Sequence, residues 1–174
     1  MSARAHSGLT VFLAGLLAFG CGYRFVSAAG RLPDGGQRIA IDMAASRSTE
    51  PWAGPHLTAA LRLEADRAGL LLAGEGERAR LRARVERIDA LPRAVALQAG
   101  RFQTREQEIE VEVSLELILA DGRRRDFVLR ERQSVLSAPD IRMTLANREM
   151  AARLALERIA RTAMRRMTRR FDPP

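Results

Sequence analysis

The residue types that most often carry chemistry are scarce in this chain. Its 174 residues include one cysteine, Cys21, and two histidines, His6 and His56. A lone cysteine cannot build a disulfide framework, and no second imidazole lies near His56 in sequence to bind a metal or to act as a base. There is no glycine-rich phosphate loop, and the carboxylates fall mainly at alternate positions of predicted strands. We therefore expect no catalytic site, no metal site and no cofactor.

The surroundings of Cys21 predict a site of processing and lipid attachment. A largely apolar run from 10 to 19 follows Arg4, which is the layout of a secretory signal, with a short positive region and then about 7 to 15 apolar residues. The run is too short to span a membrane, which needs about 20 apolar residues. Cleavage after Gly20 and diacylation of Cys21, with palmitate as a chain, would explain an exported thiol without a partner. Residues 1–20 are thus the predicted signal peptide.

The segment 16–21, LLAFGC, resembles the lipobox of bacterial lipoproteins, in which a small residue precedes the acylated cysteine. It departs from that pattern at Ala18, where leucine is usual, and at Phe19, which is bulky for its position. Two acyl chains anchor a protein stably to a membrane. In lipoproteins of Gram-negative bacteria an aspartate after the cysteine favours the inner membrane, so Gly22 implies the outer membrane. The alternative is a general signal peptide cut nearby, with Cys21 left as a free buried thiol.

The charge balance is basic, and arginine supplies all of the positive charge. The formal net charge is +8, and none of the 29 basic residues is a lysine. Arginine pairs bidentately with phosphate and carboxylate groups, so such a surface suits anion recognition. A GC-rich genome would give the same composition without any functional meaning. An exported chain does not meet DNA, and aromatic residues for base stacking make up only 5%, so no nucleic-acid partner is expected.

The mature chain is long enough for one domain with a core of leucine, valine, isoleucine and alanine. Residues 21–37 include the turn-rich stretch PDGG at 33–36 and are expected to form an acylated tether with little to pack. The segment 38–43 alternates like a first strand. We expect residues 38–174 to form a single α+β domain.

A first helix is predicted from apolar residues at helical spacing between Leu57 and Ala68, and Gly69 stands where a C-cap glycine belongs. Trp52 lies just before this helix. We expect its side chain to lie over the core as a staple. The other interpretation is an exposed tryptophan that anchors a protein interface.

Three predicted strands carry charged rows on one face. Arginine alternates with apolar residues from 78 to 85, and glutamate does so from 108 to 119. The return strand carries Phe127 and Leu129 inward with Arg130 and Arg132 outward. Asp121-Gly122 predicts a two-residue hairpin, and Pro92 indicates a bulge or an edge position. Opposite charges on neighbouring strands favour a solvated, salt-bridged face. The other hypothesis is a surface that meets anionic groups, with Arg80, Arg82, Arg84, Arg130 and Arg132 as the candidate residues.

A last helix is predicted from about Thr144 to Arg170, with an apolar face for the sheet and arginines pointing away. A basic helix of this kind could instead lie on a membrane surface, but its apolar stripe has the width of a core-facing helix. The elements together predict an α+β, two-layer sandwich. Two helices cover one face of a mainly antiparallel four-stranded sheet, in the order strand-helix-strand-strand-strand-helix.

The start CGYRF at 21–25, followed by this order of elements, resembles LptE, the lipopolysaccharide-assembly lipoprotein family. The resemblance covers the whole mature chain as a layout, and its local specificity lies in that start and in the arginine-rich last helix. It implies a non-catalytic outer-membrane lipoprotein that faces the periplasm. Such a protein sits inside the LptD β-barrel, acts as its plug and assembly aid, and helps deliver lipopolysaccharide to the outer leaflet. Lipopolysaccharide would then be the anionic partner of the candidate arginines.

A second function stays open from the sequence. An auxiliary lipoprotein of an intermembrane lipid ABC transporter would be a binding module of similar size with the same kind of tether. The partner distinguishes the two functions, since one predicts a large outer-membrane barrel and the other predicts transporter subunits.

Overall fold

The computed structural model describes residues 32–33, 38–70, 79–98, 101–138 and 140–168. Cys21, with the predicted signal peptide, lies outside the described residues. The elements in chain order are β1 Ile39–Ile41, β2 Ala45–Ser46, α1 Ala53–Arg67, β3 Ala79–Gln98, β4 Arg101–Ile118, β5 Arg124–Leu136 and α2 Ile141–Thr168. The predicted α+β sandwich with two helices is confirmed, and the short strand β2 makes the sheet five-stranded.

The sheet has the strand order β1-β3-β4-β5, and β2 also pairs with β3. Both short strands run parallel to β3: Ile39–Ile41 lies beside 79–81, and Ala45–Ser46 lies beside 84–85. A parallel pair needs a crossover of a dozen or more residues, which α1 provides here. β3, β4 and β5 form an antiparallel meander, so the sheet is mainly antiparallel, as predicted.

The turn between β4 and β5 differs from the predicted two-residue hairpin. The Leu119 N–H donates to the Arg123 carbonyl over 2.8 Å, and the Gly122 N–H donates back to the Leu119 carbonyl over 3.0 Å. The loop therefore has three residues, 120–122. Gly122 has a φ of 84°, which is the left-handed conformation that a three-residue hairpin loop requires at its last position.

A bulge at Glu86 changes which residues of β3 face the helices. Up to this point the odd-numbered residues are buried, ending at Val85 opposite Val113. Beyond the bulge, Arg87 lies opposite Glu112. From this point the even-numbered residues of β3 face the core. A second register shift follows Pro92, which confirms the bulge predicted at this proline.

The helix α1 packs on the sheet through Leu57, Leu61 and Ala65, all of which are fully buried. It ends as predicted, because Gly69 follows it with a φ of 67° and satisfies the left-handed C-cap position. Trp52 lies at its N-terminal end, packs partly buried against the core and donates its indole N–H to Glu50 over 2.9 Å.

The helix α2 lies beside α1 and covers β4 and β5. Its buried face contains the residues that helical spacing predicts, Ala152, Leu156, Ile159, Ala160, Ala163 and Met167, and it also contains Ala151, Ala155 and Met164. Leu32 is only 3% exposed and belongs to the same core. Part of the segment predicted to have little to pack therefore packs against the domain.

Candidate functional site

The outer face of the sheet, away from the helices, carries neighbouring rows of acidic and basic side chains. We call it the charged face and define it by a carboxylate row on the central strand β4 and by arginines on the flanking strands. The row consists of Glu108, Glu110, Glu112 and Glu116. The side chains of Glu108 and Glu110 are only 9% and 7% exposed, so these carboxylates need partners to remain charged.

Arginines of β3 reach the row from one side. Arg87 contacts Glu112 through Nε at 2.9 Å and Glu110 at 3.0 Å, and Arg93 pairs with Glu108. Further along the strand, Arg82 lies 3.4 Å from Glu116. The register explains these pairs, because residues directly opposite on antiparallel strands lie within side-chain reach.

Arginines of β5 reach the same row from the other side. Arg130 donates to Glu112 over 3.2 Å, and Arg132 donates to Glu110 over 2.7 Å. Arg124 lies 3.5 Å from Glu116. Glu110, Glu112 and Glu116 are thus each held between an arginine of β3 and an arginine of β5.

These contacts change the protonation of the groups at the centre of the row. Hydrogen bonds from Arg130 and then Arg87 hold the pKa of Glu112 below its ordinary value, against partial desolvation. The hydrogen bond to Glu112 raises the pKa of Arg87. Both shifts favour the charged forms, so the pair stays ionised over a wider pH range than free side chains would.

The structure places all five candidate arginines on the charged face, but it engages four of them internally. Arg80 lies 3.2 Å from Asp42, and Arg82 lies between Asp42 and Glu116. Arg130 and Arg132 are paired with the β4 row, as described above. The Arg84 side chain is exposed and forms no hydrogen bond or ion pair with another described residue, since Ser114 stands opposite it where the glutamate row is interrupted.

An open groove lies over this interruption. It has a volume of about 640 Å³ and is lined by Arg82 and Arg84 of β3, Met43 before β2, and Phe127 and Val128 of β5, among other residues. Met43 and Val128 are large apolar side chains that are 67% and 52% exposed. The groove can therefore present one free guanidinium beside apolar surface.

Sequence reasoning missed Arg87 and Arg93 as members of the charged face. Strict alternation from Ala79 predicts that odd-numbered residues point into the core, and the bulge at Glu86 reverses this. The signal was present in the sequence, because Glu86 and Arg87 are two consecutive charged residues between the apolar Val85 and Ile88. Such a doublet inside an alternating strand is typical of a bulge.

A separate cluster joins the two helices and includes Trp52 and His56 at the N-terminal end of α1 and Arg153 and Glu157 of α2. The Arg153 guanidinium lies 4.6 Å from the Trp52 ring centre, and His56 meets the same ring edge-on with centroids 6.2 Å apart. Arg153 also contacts His56 Nδ1 at 3.3 Å, and Glu157 lies 3.5 Å from Nε2. This arrangement joins α1 to α2, so the structure supports the staple interpretation of Trp52 over the interface anchor.

No group of metal-ligating side chains comes together among the described residues. Within the same part of the chain, neither α1 nor α2 has the length and apolar composition that crossing a membrane requires. The charged face offers guanidinium groups, carboxylates and a shallow, partly apolar groove.

Comparisons with known proteins identify the fold. No protein-family model matches the chain, and no curated protein matches it as a relative. A "putative lipoprotein" from Caulobacter crescentus CB15 has a similar solved structure, with a TM-score of 0.53 and 16% identity over 75% of this chain and 87% of that one. A "putative neuraminyllactose-binding hemagglutinin homolog" from Helicobacter pylori is similar with a TM-score of 0.51 and 7% identity. The match covers 80% of this chain and 89% of that one.

The rare lipoprotein B from Shewanella oneidensis is also similar, at a lower TM-score of 0.46, with 18% identity over 72% of this chain and 90% of that chain. At such identities a TM-score above 0.5 shows a shared fold and nothing further. The Caulobacter crescentus and Helicobacter pylori structures therefore show that this chain has a helix-on-sheet fold, which also occurs in a bacterial protein described as a "putative lipoprotein".

Proposed function

We propose that this chain is a non-catalytic outer-membrane lipoprotein, anchored through Cys21 and facing the periplasm. In this proposal it plugs an LptD-like β-barrel, assists assembly of that barrel and helps deliver lipopolysaccharide to the outer leaflet. The lipobox-like segment before Cys21 supports the anchor, and the fold shared with a described lipoprotein is compatible with it. The division into signal peptide 1–20, tether 21–37 and domain 38–174 belongs to the same proposal.

The charged face is the observation that carries the proposal. The interior of an outer-membrane barrel is polar, so a domain that fills it must present polar and charged side chains. Glutamates held between arginines of two strands give the sheet a stiff surface that is already internally neutralised. Such a surface can be enclosed by a polar wall without leaving many unpaired charges, which would be costly to bury.

The groove at Arg84 supports the lipopolysaccharide part of the proposal. Its guanidinium has no partner among the described residues, while Met43 and Val128 offer exposed apolar surface beside it. An amphipathic anion with phosphates and acyl chains matches both chemistries. Arg84 is therefore the first of the five candidate arginines to test for lipid contact.

The proposal is tested by isolating the protein with its partners. Membranes from cells that express the tagged full-length chain are solubilised, and co-purifying proteins are identified by mass spectrometry. We expect a large outer-membrane β-barrel in roughly equal amount. The matched variant Cys21→Ala is expected to lose incorporation of labelled palmitate and to lose the barrel.

Two results would contradict the proposal. Palmitate incorporated into Cys21→Ala would show that the lipid is not attached at this residue. Recovery of inner-membrane transporter subunits in place of a barrel would assign the chain to an intermembrane lipid transporter, and its charged face would then be an ordinary solvated surface.

A further inference from the structure

The outer surface of α2 carries exposed apolar side chains that the fold does not use. Met143, Met150 and Leu154 are 57%, 62% and 43% exposed. Met150 and Leu154 follow Met143 by seven and eleven residues. This spacing places the three residues within an arc of about 40° on one side of the helix. The core residues Ala152 and Ile159 lie about 180–200° away from Met150 on the same helix. We call these three residues the outer stripe.

Arginines flank the outer stripe on both sides. Measured around the helix from Met150, Arg142 and Arg153 lie about 60–80° to one side, and Arg158 and Arg165 lie about 60–80° to the other. Arg142, Arg158 and Arg165 are exposed, and none of their guanidinium groups forms an ion pair with a carboxylate of the described chain. They differ in this respect from the arginines of the charged face, most of which are neutralised by the sheet itself.

The charge of α2 as a whole is strongly positive. Between 141 and 168 the helix has seven arginines and two glutamates. Glu149 is paired with Arg153 at 2.6 Å, and Glu157, at the end of the outer stripe, faces His56. The uncompensated positive charge of the described domain is therefore carried largely by α2, and Arg142, Arg158 and Arg165 place part of it beside the exposed methionines and leucine.

We propose that the outer stripe of α2 rests on an anionic phospholipid surface, with its apolar side chains at the boundary between headgroups and acyl chains. A helix binds in this way when a narrow apolar strip is bordered by basic residues that meet lipid phosphates. Methionine and leucine provide the apolar contact, and the unpaired arginines provide charge complementarity. The inference concerns a lipid surface and does not depend on the barrel partner proposed above.

The test measures how close the stripe lies to lipid in the full-length chain. Met150→Cys is labelled with a small fluorophore and reconstituted in vesicles of phosphatidylglycerol and phosphatidylcholine that contain a shallow spin-labelled lipid. Leu91→Cys is the matched control, since Leu91 is also an exposed apolar residue but lies on β3 opposite Glu108, outside the groove at Arg84. The chain without an added cysteine supplies the background from Cys21. Quenching at 150 should exceed quenching at 91 severalfold, because an interfacial helix sits about 5–10 Å into the boundary.

The charge requirement is tested in the same vesicles. Arg158→Gln with Arg165→Gln should lower quenching at 150 to the level found at 91. The matched pair Arg47→Gln and Arg123→Gln removes the same charge from exposed residues outside both α2 and the carboxylate row, and it should leave quenching at 150 unchanged. Equal quenching at the two positions overturns the inference, and so does quenching at 150 that persists in pure phosphatidylcholine. Protection of position 150 by a second protein in detergent, without vesicles, would also overturn it.

Discussion

Thr58 shows how one side chain joins two elements of this fold. It is 3% exposed, accepts a hydrogen bond from the Ala44 N–H over 2.8 Å and donates to the Gly54 carbonyl over 2.9 Å. Its hydroxyl therefore satisfies a buried backbone donor that lies between β1 and β2. The neighbouring Gly54 permits the close approach, because a Cβ there would lie 2.5 Å from the Ala44 carbonyl oxygen.

Replacing this hydroxyl should destabilise the protein in spite of a conserved side-chain shape. Thr58→Val is expected to lower the free energy of unfolding by about 1–3 kcal/mol, because it leaves the Ala44 N–H buried without a partner. Urea denaturation followed by circular dichroism measures this change. Thr58→Ser is the control: it keeps the hydroxyl and loses one methyl group, worth about 0.8 kcal/mol. A serine variant as unstable as the valine variant would contradict the role of the hydrogen bond.

At the scale of elements, β4 carries the ionised carboxylates at the centre of the charged face. The pKa of Glu112 is lowered, first by the hydrogen bond from Arg130. A lowered folded-state pKa means that the contribution to stability is fully present above the ordinary pKa of about 4.3. It is lost as the pH falls through the folded-state pKa. Acid should therefore loosen this part of the sheet.

Glu112→Gln tests this dependence. The variant should be less stable than the native chain at pH 7, and the difference should shrink as the pH is lowered towards 3, measured by urea denaturation at each pH. Asp66→Asn is the control, because Asp66 is an exposed carboxylate of α1 without an ion pair in the described chain; it should differ little from the native chain at either pH. If Glu112→Gln lowered the free energy of unfolding by the same amount at every pH, the proposed electrostatic contribution would be excluded.

Hydrophobic periodicity was sufficient to predict both helices and the three long strands. It placed the core face of α2 and the glutamate row of β4 correctly, because both follow uninterrupted periods. It could not show β2, whose two residues, Ala45 and Ser46, are too few to carry a pattern. It also placed the start of β4 too late, since the strand already begins at Arg101, and the apolar alternation becomes clear only near Ile109.

Less of the candidate site than of the fold could be predicted from the sequence. Which arginines are neutralised depends on strand register, and alternation predicts faces without predicting neighbours. The gap at Ser114 that leaves Arg84 unpaired, and the bulge that brings Arg87 to the row, both follow from register. The outer stripe of α2 was missed for a related reason, because the strong core face of the same helix dominated its periodicity.

For the whole molecule, the contact between the helix layer and the sheet should make the domain unfold as one unit. Leu156 of α2 is fully buried in the common core, and Arg153, one turn earlier, holds Trp52 of the α1 end. Leu156→Ala is expected to cost about 2–5 kcal/mol of unfolding free energy through lost burial and a cavity. Circular dichroism, which reports on the helices, and Trp52 fluorescence, which reports on the α1–α2 contact, should shift together in urea.

Leu154→Ala is the matched control, because Leu154 is the same residue type two positions away on the outer stripe and is 43% exposed. Its cost should stay within about 0.5 kcal/mol, as for other surface substitutions. Similar costs for the two variants would mean that α2 does not present Leu156 to the core. Separate transitions by the two probes would mean that the helices and the rest of the domain unfold independently. If the prediction holds, Leu154 contributes little to folding, which leaves its exposed position free to serve contact with a lipid surface.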